Sequence, residues 1–238
     1  MASPLIYEYP PLVAGILRKR YKRFLADIEL DSGELVTAHC ANTGPMLGVC
    51  EIGSRVYLSR SGNPKRKLPF SWEMIQVNGT WVGVNTALPN RVSKLALEQQ
   101  ALPELAGRYT KIRSEVVYGS EKSRIDFLLT SPDQTNIYVE VKNTTLAETP
   151  LALFPDTVTT RGQKHLRELM NLPADTRKVM LYFINRGDCD RFAPGDTWDP
   201  EYGALLRQAI AAGVEVLPYR FAVSPEGIRL LGLASLEL

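Results

Sequence analysis

The sequence has little cysteine and little histidine. Its 238 residues include three cysteines, Cys40, Cys50 and Cys189, at wide spacings, and two histidines. No Cys-x-x-Cys motif occurs, so the sequence predicts neither a disulfide framework nor a zinc site of the common Cys/His type. We expect Cys40 to be a core thiol, because free cysteine is among the most buried residue types.

Long apolar runs and a large net charge are missing as well. No run of 18 or more apolar residues occurs, which excludes an ordinary membrane-spanning helix. The opening residues MASPLIYEYPPL lack the basic and then apolar layout of a secretory signal, so we expect a cytoplasmic protein with no membrane partner. The net charge of +2 is far from the strongly basic character of a dedicated nucleic-acid coat. Local charge clusters are therefore more informative than the total.

The stretch RIDFLLTSPDQTNIYVEVK has the most informative pattern in the chain. Strands are predicted over Arg124 to Thr130 and Ile137 to Lys142, joined by a turn rich in Ser, Pro, Asp and Asn. Successive residues of a strand point to opposite faces, so Glu140 and Lys142 share one face. Asp126, on the partner strand of this hairpin, can approach the same face.

Charged side chains are disfavoured inside strands, so this cluster needs a reason. Mg²⁺ binds hard oxygen ligands, usually one or two carboxylates with waters and substrate phosphates. Asp126 and Glu140 are therefore predicted ligands of Mg²⁺ or Mn²⁺, with Lys142 orienting a water or stabilising charge on a phosphate. The same residues also fit an ordinary ion pair of Asp126 with Lys142 at a sheet edge.

Two basic clusters lie in the first third of the chain, one in the predicted strand of ILRKRYKRFLADIEL and one in the loop SGNPKRKLP. Lysine and arginine bind phosphates, and a tyrosine among them can stack on bases. A solvated strand edge protected by charge would show the same pattern. In the functional interpretation, the predicted DNA-binding residues are Arg18, Lys19, Arg20, Tyr21, Lys22, Arg23, Lys65, Arg66 and Lys67.

Turn signals divide the chain into two predicted domains. Residues 1–88 contain several short strands, including a hairpin at Asn78-Gly79, and predict a small OB-like β-barrel. On the strand that follows the basic cluster, Phe24, Ala26, Ile28 and Leu30 are predicted to share one face.

Residues 89–238 read as helix, three strands, helix, strand, helix and strand, which predicts an α/β domain with a central mixed sheet. We expect Asn90 to cap its first helix. Asp199 is expected to cap the last helix, which Gly213 ends.

This order of elements resembles the core of the PD-(D/E)xK nuclease superfamily, and Asp126, Glu140 and Lys142 match its motif. The usual proline before the aspartate is Ile125 here. The superfamily often adds an acidic residue, for which Glu98 is preferred because the first helix usually supplies it.

Other residues could complete or flank the predicted site. Glu115 is an alternative to Glu98 as the extra acidic group, and spacing does not choose between them. Gln163 and Lys164, near the start of the second helix, are predicted to contact the scissile strand, because helix N-termini favour phosphate. His165 is expected on the solvated face of that helix.

Longer blocks resemble the sugar fermentation stimulation protein family of bacteria and archaea. They are KRYKRFLADIELDSGE, HCANTGPM, SRIDFLL, YVEVKNTTLAE and FPDTVTTRGQKHLREL, spread over nearly the whole chain. The resemblance implies an OB-like domain joined to a nuclease-like domain, DNA binding with little sequence preference, and a possible regulatory role in maltose metabolism.

Three functions are therefore expected in order of preference. The first is non-specific DNA binding, and the second is Mg²⁺- or Mn²⁺-dependent hydrolysis of DNA. The third is a regulator or partner-binding module on an inactive nuclease fold, although no helix-turn-helix pattern suggests base-specific recognition.

Overall fold

The computed structural model describes residues 3–119, 123–132 and 134–238. Within them the helices are α1 (Leu88–Glu98), α2 (Thr160–Met170) and α3 (Pro200–Ala211). The strands are β1 (Leu5–Glu8), β2 (Leu12–Tyr21), β3 (Leu25–Leu30), β4 (Leu35–His39), β5 (Arg55–Arg60), β6 (Phe70–Val77), β7 (Thr80–Gly83), β8 (Lys111–Tyr118), β9 (Ser123–Ser131), β10 (Gln134–Thr144), β11 (Ala147–Glu148), β12 (Leu151–Phe154), β13 (Arg177–Ile184), β14 (Arg191–Pro194), β15 (Val214–Val223), β16 (Gly227–Leu233) and β17 (Ser235–Leu236). None of the described helices has the length and apolar character needed to cross a membrane.

Strands β2 to β6 form a closed barrel. Antiparallel pairings join β4, β3, β2, β5 and β6 in that order, and a parallel pairing of β4 with β6 closes the circle. Alternate residues of β3, namely Ala26, Ile28 and Leu30, are buried in its core beside Trp72, as the period of two predicts. Cys40 is also fully buried there, as expected. The predicted OB-like barrel is confirmed.

The second domain is built on a seven-stranded mixed sheet in the order β1-β16-β15-β13-β10-β9-β8. β10, β13 and β15 are parallel to each other, and the outer strands are antiparallel. Helix α1 covers one face of this sheet, and α2 and α3 cover the other. A sheet with helices on both faces buries its central strands, which explains why all but the first residue of β13 are buried.

Both helices over the second face begin at a capping side chain, and the cap of α3 is the one that the sequence predicts. The Thr159 side chain accepts a hydrogen bond from the Gly162 amide at 3.1 Å and caps α2. The Asp199 carboxylate accepts one from the Tyr202 amide at 3.0 Å and caps α3. Gly213, with φ of +84°, follows the end of α3 in the left-handed conformation that favours glycine.

Three local expectations are wrong. Residues 5–8 fall outside the barrel, because β1 pairs with β16 at the edge of the second sheet. Phe24 is 45% exposed, since it lies in the turn before β3 rather than in the strand. Helix α1 begins at Leu88 after Ala87, with proline in its first turn, so Asn90 lies inside the helix and its side chain is free to bind elsewhere.

The two domains share a packed junction. The Gly83 amide donates a hydrogen bond to the Asn185 carbonyl at 2.9 Å, and Val82 pairs with Arg186. A Cβ on Gly83 would lie 2.2 Å from the Asn185 side chain, so only glycine permits this approach. Met74 of the barrel belongs to the same apolar core as α1. Asn42 of the barrel and Asn143 near the end of β10 line one cavity at this junction.

Candidate metal centre and its flanking surfaces

Asp126 and Glu140 meet where β9 and β10 separate. The last paired residues at this end are Phe127 and Val139. Beyond them the Asp126 carboxylate itself accepts a hydrogen bond from the Val141 amide, with Oδ2 at 2.7 Å from the nitrogen. β10 continues to pair with β13 as far as Thr144, so its backbone stays fixed. The Asp126 carboxylate therefore lies against the backbone of β10 at the residue that follows Glu140.

Glu140 is 2% exposed and has one engaged and one unengaged oxygen. Its Oε1 accepts a hydrogen bond from Lys142 Nζ at 2.7 Å and contacts His165 Nδ1. Its Oε2 is buried and has no hydrogen-bond partner among the described residues. Burial raises the pKa of this carboxyl, but Lys142 and His165 outweigh burial and hold the pKa below its ordinary value. Glu140 is therefore a buried anion with one open coordination position.

The pKa of Asp126 is shifted in the opposite direction, above its ordinary value. Burial, and then the negative charge of Glu140, raises its pKa to about 6. Its Oδ1 accepts a hydrogen bond from the Asn90 side-chain amide at 2.6 Å, which replaces the capping role expected of Asn90. Near neutral pH the negative charges of Asp126 and Glu140 therefore repel each other, and a cation bound between them would relieve the repulsion.

The donor set fits a small divalent cation. It provides carboxylate oxygens, including the unpartnered Oε2 of Glu140, and hard oxygen ligands suit Mg²⁺ and Mn²⁺. In the described part of the chain no group of three His, Cys, Asp or Glu side chains is close enough to form a metal site on its own. Waters and a substrate phosphate would have to complete the coordination.

His165 belongs to this cluster, which corrects the expectation that it lies on the helix surface. It is 4% exposed, because α2 lies over the sheet with this side chain facing β10. Arg161 Nε donates to His165 Nε2 at 3.4 Å, so in the neutral imidazole the proton is on Nδ1 and is donated to Glu140. The signal in the sequence was the spacing of Leu166 and Leu169, which fixes the buried face of α2.

Two residues predicted for the site lie elsewhere. Gln163 is 5% exposed, and its Nε2 donates to both carboxylate oxygens of Asp199, at 3.0 and 3.1 Å. Glu98 is on the exposed side of α1 and pairs with Lys94 at 3.8 Å. It is two turns of helix beyond Asn90, the α1 residue that contacts Asp126.

Glu115, the alternative acidic residue, lies closer to the carboxylate pair. It lies in β8 opposite Asp126, between the pairs Ser114–Phe127 and Val116–Ile125, and has φ of +55°. This left-handed backbone conformation is uncommon for a residue other than glycine. Glu115 and Asp126 line the same surface cleft of about 260 Å³, together with Asn90, Arg91, Lys94, Ser114 and Phe127.

A basic cleft lies on the other side of Glu140. Its volume is about 340 Å³, and it is lined by Lys164, the residue predicted to contact the scissile strand. Arg124 of β9 and Arg161 of α2 add two further cations, and His165 forms its inner wall. Sequence reasoning missed Arg124, whose position beside α2 depends on the sheet order.

The basic barrel residues divide between structure and surface. The Arg20 guanidinium donates to the carbonyls of Arg23, Asn42 and Gly44, at 2.9 to 3.0 Å, and Arg23 Nε donates to the Thr43 carbonyl at 2.6 Å. These two arginines fix the loop of residues 42–44. Fewer N–H groups of Arg20 therefore remain to bind a phosphate. The other predicted DNA-binding residues are at least partly exposed. Among them, Arg18 forms an ion pair with Glu29, Tyr21 donates a hydrogen bond to Asp27, and Arg66 donates one to Ser71.

Comparison with known families gives a consistent result. The model of the SfsA N-terminal OB domain matches residues 19–84, and that of the sugar fermentation stimulation protein RE domain matches residues 87–227. The chain belongs to the sugar fermentation stimulation protein family. A homologue from Crocosphaera subtropica is 65% identical, covering 100% of both chains. One from Synechocystis sp. is 66% identical over 97% of this chain and 98% of its own.

A solved structure of this family has the same fold. SfsA of Pyrococcus furiosus, in complex with Ca²⁺, superposes with a TM-score of 0.89 at 26% identity, covering 99% of this chain and 100% of that one. The likeness extends over both domains and their arrangement.

Proposed function

We propose that this chain binds DNA without sequence preference and hydrolyses its phosphodiester bonds with the help of Mg²⁺ or Mn²⁺. The observation that carries the proposal is the buried cluster of Asp126, Glu140 and Lys142, in which one Glu140 oxygen has no hydrogen-bond partner among the described residues. A buried ionised carboxylate is costly unless it is paired, so a purely structural role would leave that oxygen unexplained. The Ca²⁺ complex of the Pyrococcus furiosus relative supports a divalent cation.

Each residue has a distinct part in this proposal. Asp126 and Glu140 would hold the cation, which when bound neutralises phosphate charge and promotes ionisation of a nearby water. The Lys142 ammonium, 12% exposed and 2.7 Å from Glu140 Oε1, orients that carboxylate and can stabilise charge on the reacting phosphate. His165 keeps the Glu140 carboxylate in place from the other side.

The flanking surfaces explain how a strand of DNA would be held. Arg124, Arg161 and Lys164 form a cationic cleft next to His165 and can bind a phosphate beside the reacting one. On the barrel, the exposed lysines Lys22, Lys65 and Lys67 supply further positive charge. Contacts of this kind bind the backbone and carry no sequence information, which favours non-specific binding.

The proposal is tested by incubating purified protein with labelled single-stranded, duplex and branched DNA in Mg²⁺, Mn²⁺ or EDTA. We expect cleavage products only with a divalent cation. Asp126→Ala and Lys142→Ala should lower the rate by at least about 100-fold, a typical loss for removing a charge-stabilising group. Glu98→Ala is the matched control, because it removes an exposed carboxylate outside the cluster. Cleavage that survives Asp126→Ala, or that Glu98→Ala abolishes, would contradict the assignment.

If the protein binds DNA but cleaves it under none of these conditions, the proposed DNA binding stands and the proposed hydrolysis is contradicted. In that case a divalent cation should still raise the melting temperature of the wild-type protein and not that of Asp126→Ala. A cation that stabilises both equally would show that the carboxylate pair is not its site.

A further inference from the structure

A polar cavity lies between the barrel and the end of β10. It has a volume of about 130 Å³, about an order of magnitude more than one water molecule needs. The barrel contributes Asn42 and Thr86, and the second domain contributes Asn143, Thr145 and Asp156. Thr86 is exposed and Asn42 is 9% exposed, so the cavity runs from the surface inwards. None of these residues takes part in the carboxylate cluster.

Two asparagines in the cavity are held by their oxygens. Asn42 Oδ1 accepts a hydrogen bond from the Gly44 amide at 2.9 Å, and Asn143 Oδ1 accepts one from Asn185 Nδ2 at 3.1 Å. Neither Nδ2 group donates to another residue in the described part of the chain. The protein therefore fixes both amides and leaves their donors available to a ligand.

Asp156 adds the complementary group. No side chain in the described ranges donates a hydrogen bond to its carboxyl, and burial raises its pKa above the ordinary value. A carboxyl offers acceptors when ionised and a donor when protonated. An anionic ligand would be repelled by the ionised form, which argues against a phosphate in this cavity.

The other walls are apolar. Leu146, Leu153 and Phe154 line the cavity together with the polar groups. A flat ring with hydrogen-bonding edges can pack its face against such a wall while its edge meets the amides and the carboxyl. Sugar hydroxyls could use the same polar groups, but the location of the cavity favours a base.

That location is between surfaces that would bind phosphates. Asn143 follows Lys142 directly on β10, and Asp156 lies just before Thr159, which caps α2. On the barrel side, Arg23 binds the carbonyl of Thr43, the neighbour of Asn42. A strand whose phosphates run from the barrel to the carboxylate cluster would pass over the opening.

We propose that this cavity receives one unstacked nucleobase of the bound DNA strand. The inference rests on the proposed function, because it assumes that a DNA strand crosses this junction. A base inside a duplex must leave its stack to enter the cavity, which costs about a few kcal/mol of free energy, whereas the cost for a base in a single strand is much lower. The protein should therefore prefer single-stranded or distorted DNA to intact duplex.

The test compares two single-stranded oligonucleotides of equal length in EDTA, one normal and one with abasic residues throughout its central part. Both carry the same phosphates, so the difference in affinity reports base contacts alone. We expect the wild-type protein to bind the normal strand at least ten-fold more tightly. Asp156→Ala and the isosteric Thr145→Val should reduce that ratio several-fold without changing affinity for the abasic strand. Asp175→Ala, at an exposed loop carboxyl, is the matched control and should keep the wild-type ratio.

Equal affinity of the wild-type protein for both strands would overturn the proposal, as would a ratio that Asp156→Ala and Thr145→Val leave unchanged. If the protein binds no DNA at all, the proposed function fails, and free 2′-deoxynucleosides then test the cavity by saturation-transfer NMR. A nucleoside signal that Asp156→Ala abolishes supports the cavity assignment. No signal, or a signal from a neutral disaccharide and not from nucleosides, contradicts it.

Discussion

The Asp126 carboxyl has a clear electrostatic conflict in the absence of a cation. Its pKa is raised to about 6 by burial and by Glu140, against an ordinary value of 3.8. The folded state thus binds a proton more tightly than the unfolded chain does. Stability contributed by that proton is full below about pH 4 and is lost as the pH rises through 6.

This sign gives a prediction for single-residue variants. Asp126→Asn should remove the free-energy cost of ionising this carboxyl in the folded protein at neutral pH. A shift of roughly two pKa units corresponds to a cost of up to about 3 kcal/mol. Denaturant unfolding at pH 5 and pH 7.5 in EDTA should show the difference between wild type and variant growing with pH. Saturating Mg²⁺ should stabilise the wild-type protein at pH 7.5 and not the variant. A difference independent of pH would show that Asp126 is not the titrating group.

His165 has a role that its position on a helix does not reveal. Its imidazole contacts Glu140 Oε1 and lies 3.3 Å from Lys142 Nζ. We expect His165→Ala to destabilise the fold by about 1–3 kcal/mol, because it leaves a buried carboxylate with one partner fewer. It should also lower cleavage about 10- to 100-fold. His165→Asn, which keeps a donor of similar reach, should restore part of the rate, whereas equal loss in both variants would indicate a packing role only.

At the scale of elements, the buried carboxylate of Asp199 ties the starts of α2 and α3 together. It accepts hydrogen bonds from the Tyr202 amide of α3, the Thr159 amide before α2 and the Gln163 side chain of α2. This arrangement fixes the helix that carries His165 and Lys164. Gln163 therefore helps to position α2 and does not contact a substrate.

Replacing Gln163 distinguishes the two roles. Gln163→Ala should lower the free energy of unfolding by about 1–3 kcal/mol, since it removes two hydrogen bonds to a buried carboxylate. Cleavage measured well below the melting temperature should change less than about three-fold. A large loss of activity in a variant of normal stability would instead place Gln163 on the scissile strand. Lys164→Ala provides the contrast, because it should weaken DNA binding.

At the scale of the whole molecule, DNA binding depends on charge spread over both domains. The barrel supplies exposed lysines and the second domain supplies a cationic cleft. Each phosphate contact adds about 0.9 to the slope of log affinity against log salt for duplex DNA and about 0.7 for a single strand. The slope of log affinity against log salt therefore measures how many phosphates the whole molecule contacts.

The double variant Lys65→Ala/Lys67→Ala should weaken binding at low salt and reduce that slope by up to about 2 on duplex DNA. The control is Arg55→Ala/Arg207→Ala, which removes the same charge at side chains already bound to Asp31 and Asp196, at 2.6 and 2.7 Å. Fluorescence anisotropy over a salt series measures both. Equal slopes in the two double variants would show that the loop of Lys65 to Lys67 does not contact DNA.

Much of the architecture follows from local sequence. Asn78-Gly79 determines a hairpin turn, Asp199 and Gly213 bound α3, and alternation along β10 puts Glu140 and Lys142 on one face. These features depend on backbone preferences and on periodicity over a few residues, so they can be predicted from the chain alone.

Only the tertiary structure decided the partners of the site residues. His165 meets Glu140 across 25 positions and Asn90 meets Asp126 across 36, while β1 pairs with β16 at the far end of the chain. The position of Glu115 opposite Asp126 and the cavity between the barrel and β10 likewise depend on how strands and domains are placed. The physical reason is that such contacts are selected by packing between distant segments, for which local propensity and spacing carry no information.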